Sequence, residues 1–364
     1  MHSSSGGNRI EFLDGLRGLA ISLVVLFHAY VRWPELAPYG NTFSDVKVFA
    51  YGWLGVQLFF LISGFVIFLT LDRCATLMEF LVRRWLRLFP AMLICSLFVW
   101  YTASLFPERP CGSPTVGQLI PGLTFIDPHW LSLAGISAKP VEGAFWSLFV
   151  EAQFYLIAGF SYFILGGRRS AIFVLLFLFA LANLIGPIRA NLGDNIIFHC
   201  LSSLTSRINS QLYGWFAGGA LLYIYYTRKR YKALVLGLAV IAVAVCTEHG
   251  IWNAEVKLPA ALVAMVFVGA LISQPVRRVL SRQWFLFLGY ISYPLYLVHE
   301  NIMVASIVKV GKWAPLTPSI LIPLAPISFV MFIAWLIAAY LEPVIKKALS
   351  TGYAATLAAK RLPV

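Results

Sequence analysis

The sequence predicts an all-α protein, a polytopic membrane bundle of about ten transmembrane helices with both termini in the cytoplasm. Three observations carry this reading. First, of 364 residues 60% are hydrophobic and only 12% charged, and the mean hydropathy is +0.81. Soluble domains lie near half apolar and a quarter charged. Such an excess cannot all be hidden in one buried core, and it excludes disorder. Second, apolar stretches of about span length recur along the chain. Third, basic residues cluster in alternate connections, as in proteins that keep basic loops inside the cell.

The apolar stretches lie at roughly 13–33, 48–71, 88–106, 144–165, 170–188, 209–227, 232–247, 258–274, 284–308 and 319–342. Each reads as a helix, because a helix satisfies its own backbone hydrogen bonds in lipid. The alternating pattern of a membrane barrel is absent. Residues 1–8 are small and polar, and the run from Ile10 has no small-residue cleavage site. It is therefore expected as a retained first span rather than a signal peptide. The chain divides into a short cytoplasmic tail (1–12), a membrane domain (13–342) and a C-terminal cytoplasmic tail (343–364).

With the N-terminus inside, every inner segment carries a basic group: Arg9 and Arg17; Arg73, Arg83, Arg84 and Arg87; Arg168 and Arg169; Arg228, Lys229, Arg230 and Lys232; Arg277, Arg278 and Arg282; Lys346, Lys347, Lys360 and Arg361. One missed span would invert everything after it, so the pattern supports count and orientation together. The net charge of +13 is thereby assigned to membrane placement. Membrane lipids are the expected surroundings, and no nucleic-acid partner is expected. The longest polar connection, roughly 107–143, lies outside and is rich in Pro and Gly. The five cysteines, Cys74, Cys95, Cys111, Cys200 and Cys246, are scattered without a CxxC spacing. Cys111 and Cys200 both fall in outer connections, and their spacing leaves a disulfide between them open. The sequence is also silent on oligomeric state.

Ionisable groups inside spans are functional candidates by default. The first stretch holds Asp14, Arg17 and His28. Eleven residues bring Arg17 and His28 within about 20° of the same helical face, about 16 Å apart along the axis, with Asp14 near that face. The structural alternative is a snorkelling Arg and a His bonded to a neighbouring helix. In the fourth stretch Glu151 lies about 10 Å below the outer end, a depth similar to that of His28. A buried carboxylate needs a partner, so a His28–Glu151 pair is expected, one that can hold the histidine in the tautomer that accepts a proton; the alternative is a structural ion pair or a pair with a different basic group. Ser147, one turn away, reads as a nucleophile or, more plainly, as an interhelical hydrogen bond. Ser63-Gly64 in the second stretch permits close approach of a backbone or of a slender ligand.

Arg84 and Arg87 are three residues apart and share a helix face. Guanidinium forks suit phosphates, although a membrane anchor explains the same pair. The ninth stretch contains Ser292-Tyr293-Pro294 and His299, a residue of the outer half that either faces the same cavity or is structural. His129, His199 and His249 fall in outer loops. No phosphate loop, zinc-protease helix or dinucleotide fingerprint is present, and no resident metal or cofactor is expected.

Together these segments resemble the bacterial acyltransferase-3 family of integral membrane acyltransferases. The matching pieces are Leu13-Asp14-Gly15-Leu16-Arg17-Gly18-Leu19-Ala20 with Arg17-x10-His28; Phe59-Phe60-Leu61-Ile62-Ser63-Gly64-Phe65; Arg84-x-x-Arg87; Phe145-Trp146-Ser147-Leu148-x-x-Glu151; and Ser292-Tyr293 through Tyr296-Leu297-Val298-His299. The order spans nearly the whole chain. The resemblance implies a bacterial inner-membrane enzyme. It would transfer an acyl group, usually acetyl, from cytoplasmic acyl-coenzyme A as co-substrate to a hydroxyl of a carbohydrate acceptor such as exopolysaccharide or lipopolysaccharide. Some members acylate macrolides. The esterase-like C-terminal domain of some members is expected to be missing here. On this reading Arg84 and Arg87, with Arg17 and Asp14, hold the donor. His28 and Glu151 are catalytic, and Ser63, Ser147, Tyr293 and His299 line the pocket. The competing class is a transporter or flippase of a lipid-linked sugar, which also needs buried charge and a basic inner face.

Overall fold

The computed structural model describes residues 10–192, 195–249 and 253–359. His2, Arg9, Lys360 and Arg361 lie outside them. The chain opens with α1 (Glu11–Tyr30), the short α2 (Lys47–Ala50) and α3 (Gly55–Leu71). Next, α4 (Leu77–Tyr101) leads into a long connection that holds α5 (Leu119–Thr124) and α6 (Pro128–Leu133). Then come α7 (Trp146–Phe163), α8 (Arg168–Leu192), α9 (Ile196–Arg207), α10 (Tyr213–Arg228), α11 (Tyr231–Thr247) and α12 (Ala254–Ile272). After α13 (Gln274–Leu280) runs the longest helix, α14 (Gln283–Trp313). Finally α15 (Leu324–Leu336) passes through a π-helical turn, Ile337–Leu341, into α16 (Glu342–Ala359). No strand occurs among the described residues.

Each of the ten apolar stretches coincides with a helix. Six helical segments are long and apolar enough to cross a membrane by themselves: Glu11–Tyr30, Gly52–Leu71, Gly143–Phe163, Arg168–Arg189, Ala254–Ile272 and Leu324–Tyr353. The other four stretches lie on α4, α10, α11 and α14. Of these, α10 and α11 are short, with 16 and 17 residues, and α4 carries Arg83, Arg84 and Arg87.

Two local expectations change, and one open pairing is answered. Residues 343–359, expected as a tail, continue the last helix, because the π turn adds a residue to the ladder without breaking it. The segment holding His199 and Cys200, expected as loop, is the helix α9, whose Asn195 cap accepts from Phe198 N. Cys111 and Cys200 are free thiols, like the other three cysteines.

Small residues set the packing. The central pair is α1 against α14, and a Cβ on Gly289 would fall 2.0 Å from the Asp14 carbonyl oxygen. Likewise α3 and α10 close at Gly64, where a Cβ would meet the Phe216 carbonyl oxygen at 2.0 Å. Ser63-Gly64 thus serves helix packing through its glycine. By contrast, α8, α11 and α12 present Phe173, Phe177, Val235, Leu258 and Met265 outward, as lipid-facing helices do.

One end of the bundle is basic. There Asp72, just past α3, accepts hydrogen bonds from Tyr162 (2.9 Å), Tyr223 (2.8 Å) and Arg168. Burial alone would raise its pKa, but these donors outweigh burial and hold the carboxyl below its ordinary value. The hub ties α3, α7, α8 and α10 together.

Candidate active site

Five helices, α1, α3, α4, α7 and α14, contribute the walls of one cavity. Arg17, Arg84 and Arg87 line it toward the basic end. Ser63, Glu151 and Tyr155 line its middle, and Ser147 and Tyr296 line the far side. Arg17 Nη1 lies 2.7 Å from Asp14 Oδ1, so the first-turn carboxylate of α1 holds the guanidinium in place. Arg84 is buried. Its Nη2 donates to Thr70 Oγ1, and its guanidinium carbon stands 5.8 Å from the centre of the Tyr155 ring. Its Nε and Nη1 are buried without a partner in the protein. Buried cationic donors without partners are costly, and here they border a cavity able to admit an anion.

Glu151 does not pair with His28, which corrects the expectation from depth. Its Oε1 accepts from Ser63 Oγ at 2.5 Å and Tyr155 OH at 2.5 Å. The physical reason is direction rather than depth. On α7 the carboxylate meets a hydroxyl of α3 and a phenol one turn along its own helix. His28 sits on α1, whose main partner is α14.

His28 therefore meets α14. Its Nε2 is 3.9 Å from Glu300 Oε1, and its ring lies edge-to-face on His299, with centroids 4.6 Å apart at 88°. Both rings have settled tautomers. His28 Nδ1 is 2.9 Å from the Val24 carbonyl, and His299 Nδ1 is 2.9 Å from the Tyr296 carbonyl. A carbonyl only accepts, so each Nδ1 carries a proton, and in the neutral ring each Nε2 keeps its lone pair. His299 Nε2 is buried and has no partner in the protein. Two imidazole bases thus sit in contact, with one carboxylate beside them.

The opposite end of the bundle closes over this cluster. Glu300 Oε2 accepts from Ala144 N at 2.6 Å. Asn301 N donates to Glu142 Oε2 (3.1 Å), its Nδ2 to Val141 O (2.9 Å), and its Oδ1 accepts from Cys111 N (3.0 Å). Arg109 adds bonds to the carbonyls of Val99 and Val141. The 107–143 connection is therefore clamped onto α14. Burial, with Glu300 nearby, pushes the Glu142 carboxyl well above its ordinary value. Burial also raises the Cys111 thiol to about 11 and lowers the Arg109 guanidinium.

Tyr296 joins the two parts. It lines the cavity, shares a 2.7 Å hydrogen bond with Ser147 and donates to the Ala144 carbonyl (2.8 Å). Its ring centroid is 5.5 Å from that of His299. The structure thus gathers Arg17, Arg84, Arg87, Ser63, Ser147, Glu151 and Tyr293 around the cavity, with Tyr293 OH also bonded to the Leu88 carbonyl (3.0 Å). His28 and His299 stand apart from the lining, next to Tyr296. Ser147 makes the interhelical hydrogen bond named as its structural alternative. Sequence reasoning missed Glu300, Glu142 and Tyr155. Glu300 had a signal: it is a second ionisable residue inside the ninth stretch, directly after His299.

The family model described as an acyltransferase domain matches residues 10–341. The chain is 27% identical over 162 residues to the peptidoglycan O-acetyltransferase of Listeria monocytogenes, covering 41% of this chain and 23% of that protein. A Bacillus subtilis protein provisionally named a peptidoglycan O-acetyltransferase is 29% identical over 170 residues, 43% of this chain and 24% of its own length. A Staphylococcus aureus protein provisionally named an O-acetyltransferase is 28% identical over 159 residues, 40% and 24%. The alignments therefore span about a quarter of each of these relatives. No solved structure matches the chain. The match over residues 10–341 makes this chain a member of the acyltransferase-3 family.

Proposed function

We propose that this member of the acyltransferase-3 family is a membrane O-acyltransferase. It moves an acyl group, in the first place acetyl, from acyl-coenzyme A to a hydroxyl of an extracytoplasmic or lipid-linked carbohydrate. The observation that carries the reading is one cavity lined by Arg17, Arg84 and Arg87 whose lining residue Tyr296 abuts the His28–His299–Glu300 cluster. We take the basic end as cytoplasmic, with ten spans in a bacterial inner membrane, because every connection at that end is basic.

In this reading the donor's phosphates dock on Arg84 and Arg87, with Arg17 fixed beside them by Asp14. The pantetheine arm follows the cavity past Ser63 and Tyr155 toward Tyr296. Nε2 of His28 takes the proton of the acceptor hydroxyl as its oxygen attacks the thioester carbonyl. The C–S bond breaks, and the leaving thiolate recovers that proton from the imidazolium. Glu300 stabilises the cation while it exists, and the Val24 carbonyl keeps the tautomer. Glu151 belongs to the donor half of the cavity. Ser63, Ser147 and Tyr293 shape the passage, and His299 borders the reacting group.

The relatives named for peptidoglycan make a cell-envelope glycan the first acceptor to try, with macrolide-like small molecules as the second class. Glycan ester analysis of cells with and without the protein, combined with thiol release from acetyl-coenzyme A, tests the proposal. A missing ester and acceptor-dependent thiol release are expected. Movement of a glycan across the membrane without thiol release would mark a transporter instead.

A further inference from the structure

We propose that the start of α8 and the α10–α11 connection form a binding site for an anionic phospholipid. Two segments distant in sequence meet there. Gly166 and Gly167 hold φ of +116° and +88°, a backbone that other residues rarely adopt. Their turn brings Arg168 and Arg169 onto the first turn of α8. Across from them, Arg228 closes α10 and Arg230 precedes α11. These four arginines line one open cleft of about 700 Å³, with Ile172 and Ile224 at its base.

The charge in this cleft is largely uncompensated. Arg168 is held by Asp72. Lys229 turns away: its φ is +51°, and its Nζ sits over the rings of Tyr225 and Tyr226 at 5.6 and 5.5 Å. Among the described residues, Arg169, Arg228 and Arg230 form no ion pair. Three guanidinium groups and the N-terminus of a 25-residue helix thus converge where no carboxylate answers them. Arginine forks and helix N-termini both favour phosphate oxygens.

A second, apolar groove continues from the cleft and shares Ile224 and Arg230 with it. Leu221, Ala233 and Leu236 line it between α10 and α11, with Tyr231 and Lys232 at the rim. A free phosphate or a nucleotide would fill the cleft and leave this groove empty. A phospholipid fills both, headgroup on the arginines and acyl chain along the leucines. Basic pockets between helices at the headgroup level suit such lipids. The proposal rests on the bundle spanning a membrane with this end at the headgroups, and not on acyl transfer.

The test uses the full-length protein in detergent and the variant R169Q/R228Q/R230Q. Arg168 stays, because it anchors Asp72. Native mass spectrometry counts retained dioleoyl-phosphatidylglycerol and dioleoyl-phosphatidylcholine, and thermal shift is read with each lipid and with inorganic phosphate. Wild-type protein is expected to retain phosphatidylglycerol over phosphatidylcholine. The variant is expected to lose about a hundredfold of that retention, at about fivefold for each of its three arginines, with helical signal and thiol release unchanged. If the triple variant loses its helical signal, the single variants R228Q and R230Q carry the same reading. Equal phosphatidylglycerol retention by variant and wild type overturns the proposal. So does stabilisation by inorganic phosphate that matches the lipid, which would mark a free-anion site.

Discussion

His28 of α1 and His299 of α14 touch edge to face, with ring centroids 4.6 Å apart. Each binds a carbonyl of its own helix through Nδ1. Their Nε2 atoms point away from those carbonyls, and Glu300 is the carboxylate in ion-pair range of His28 Nε2, at 3.9 Å. This arrangement sets what substitution should do.

Removing the base should remove the reaction. His28→Ala is expected to cut thiol release by about 10²–10⁴-fold, the usual worth of a general base. The protein should remain membrane-inserted and helical by circular dichroism.

Glu300 and Glu151 should separate in kinetics. Glu300→Gln keeps an acceptor for Ala144 N but withdraws charge from the imidazolium. At about 1.5–3 kcal/mol for a charged interaction, kcat should fall roughly 10–100-fold with donor KM little changed. Glu151→Gln should act mainly on donor KM, since its partners are Ser63 and Tyr155. A reversed pattern would return the orienting role to Glu151.

The arginines should act on donor binding. Arg87→Ala is expected to weaken coenzyme A binding about tenfold or more by calorimetry, with smaller effects on kcat. Arg84→Ala should do the same and also lower thermal stability, because its Nη2 anchors Thr70.

Glu142 gives a pH signature. Burial and the neighbouring Glu300 raise its pKa in the folded state, above an unfolded value of about 4.3. Its favourable contribution is therefore complete below about pH 4.3 and is lost as pH rises toward the raised folded value. As pH rises above about 4.3, wild-type melting temperature should fall more steeply than that of Glu142→Gln. Parallel slopes would contradict a raised Glu142 carboxyl.

The legible parts of the sequence were those governed by periodicity and composition. Ten apolar stretches gave ten helical positions, and spacing along single helices put Arg17 with Asp14 and Arg84 with Arg87. Partners across helices were not legible. Depth placed Glu151 level with His28, but depth carries no information on rotation about the helix axis. Rotation is set by contacts such as Gly289 on the Asp14 carbonyl. That contact brings α14, and with it His299 and Glu300, to His28. The clamp of Val141, Glu142 and Cys111 on Asn301 was hidden because it links a loop to the middle of a helix about 160 residues or more away.

The base role of His28 is decided by thiol release from acetyl-coenzyme A by reconstituted protein, with envelope glycan supplied on the far side, for wild type and His28→Ala in parallel. Acceptor-dependent release is expected from wild type, and at least about a hundredfold less from the variant. Release by His28→Ala at the wild-type rate would contradict that role.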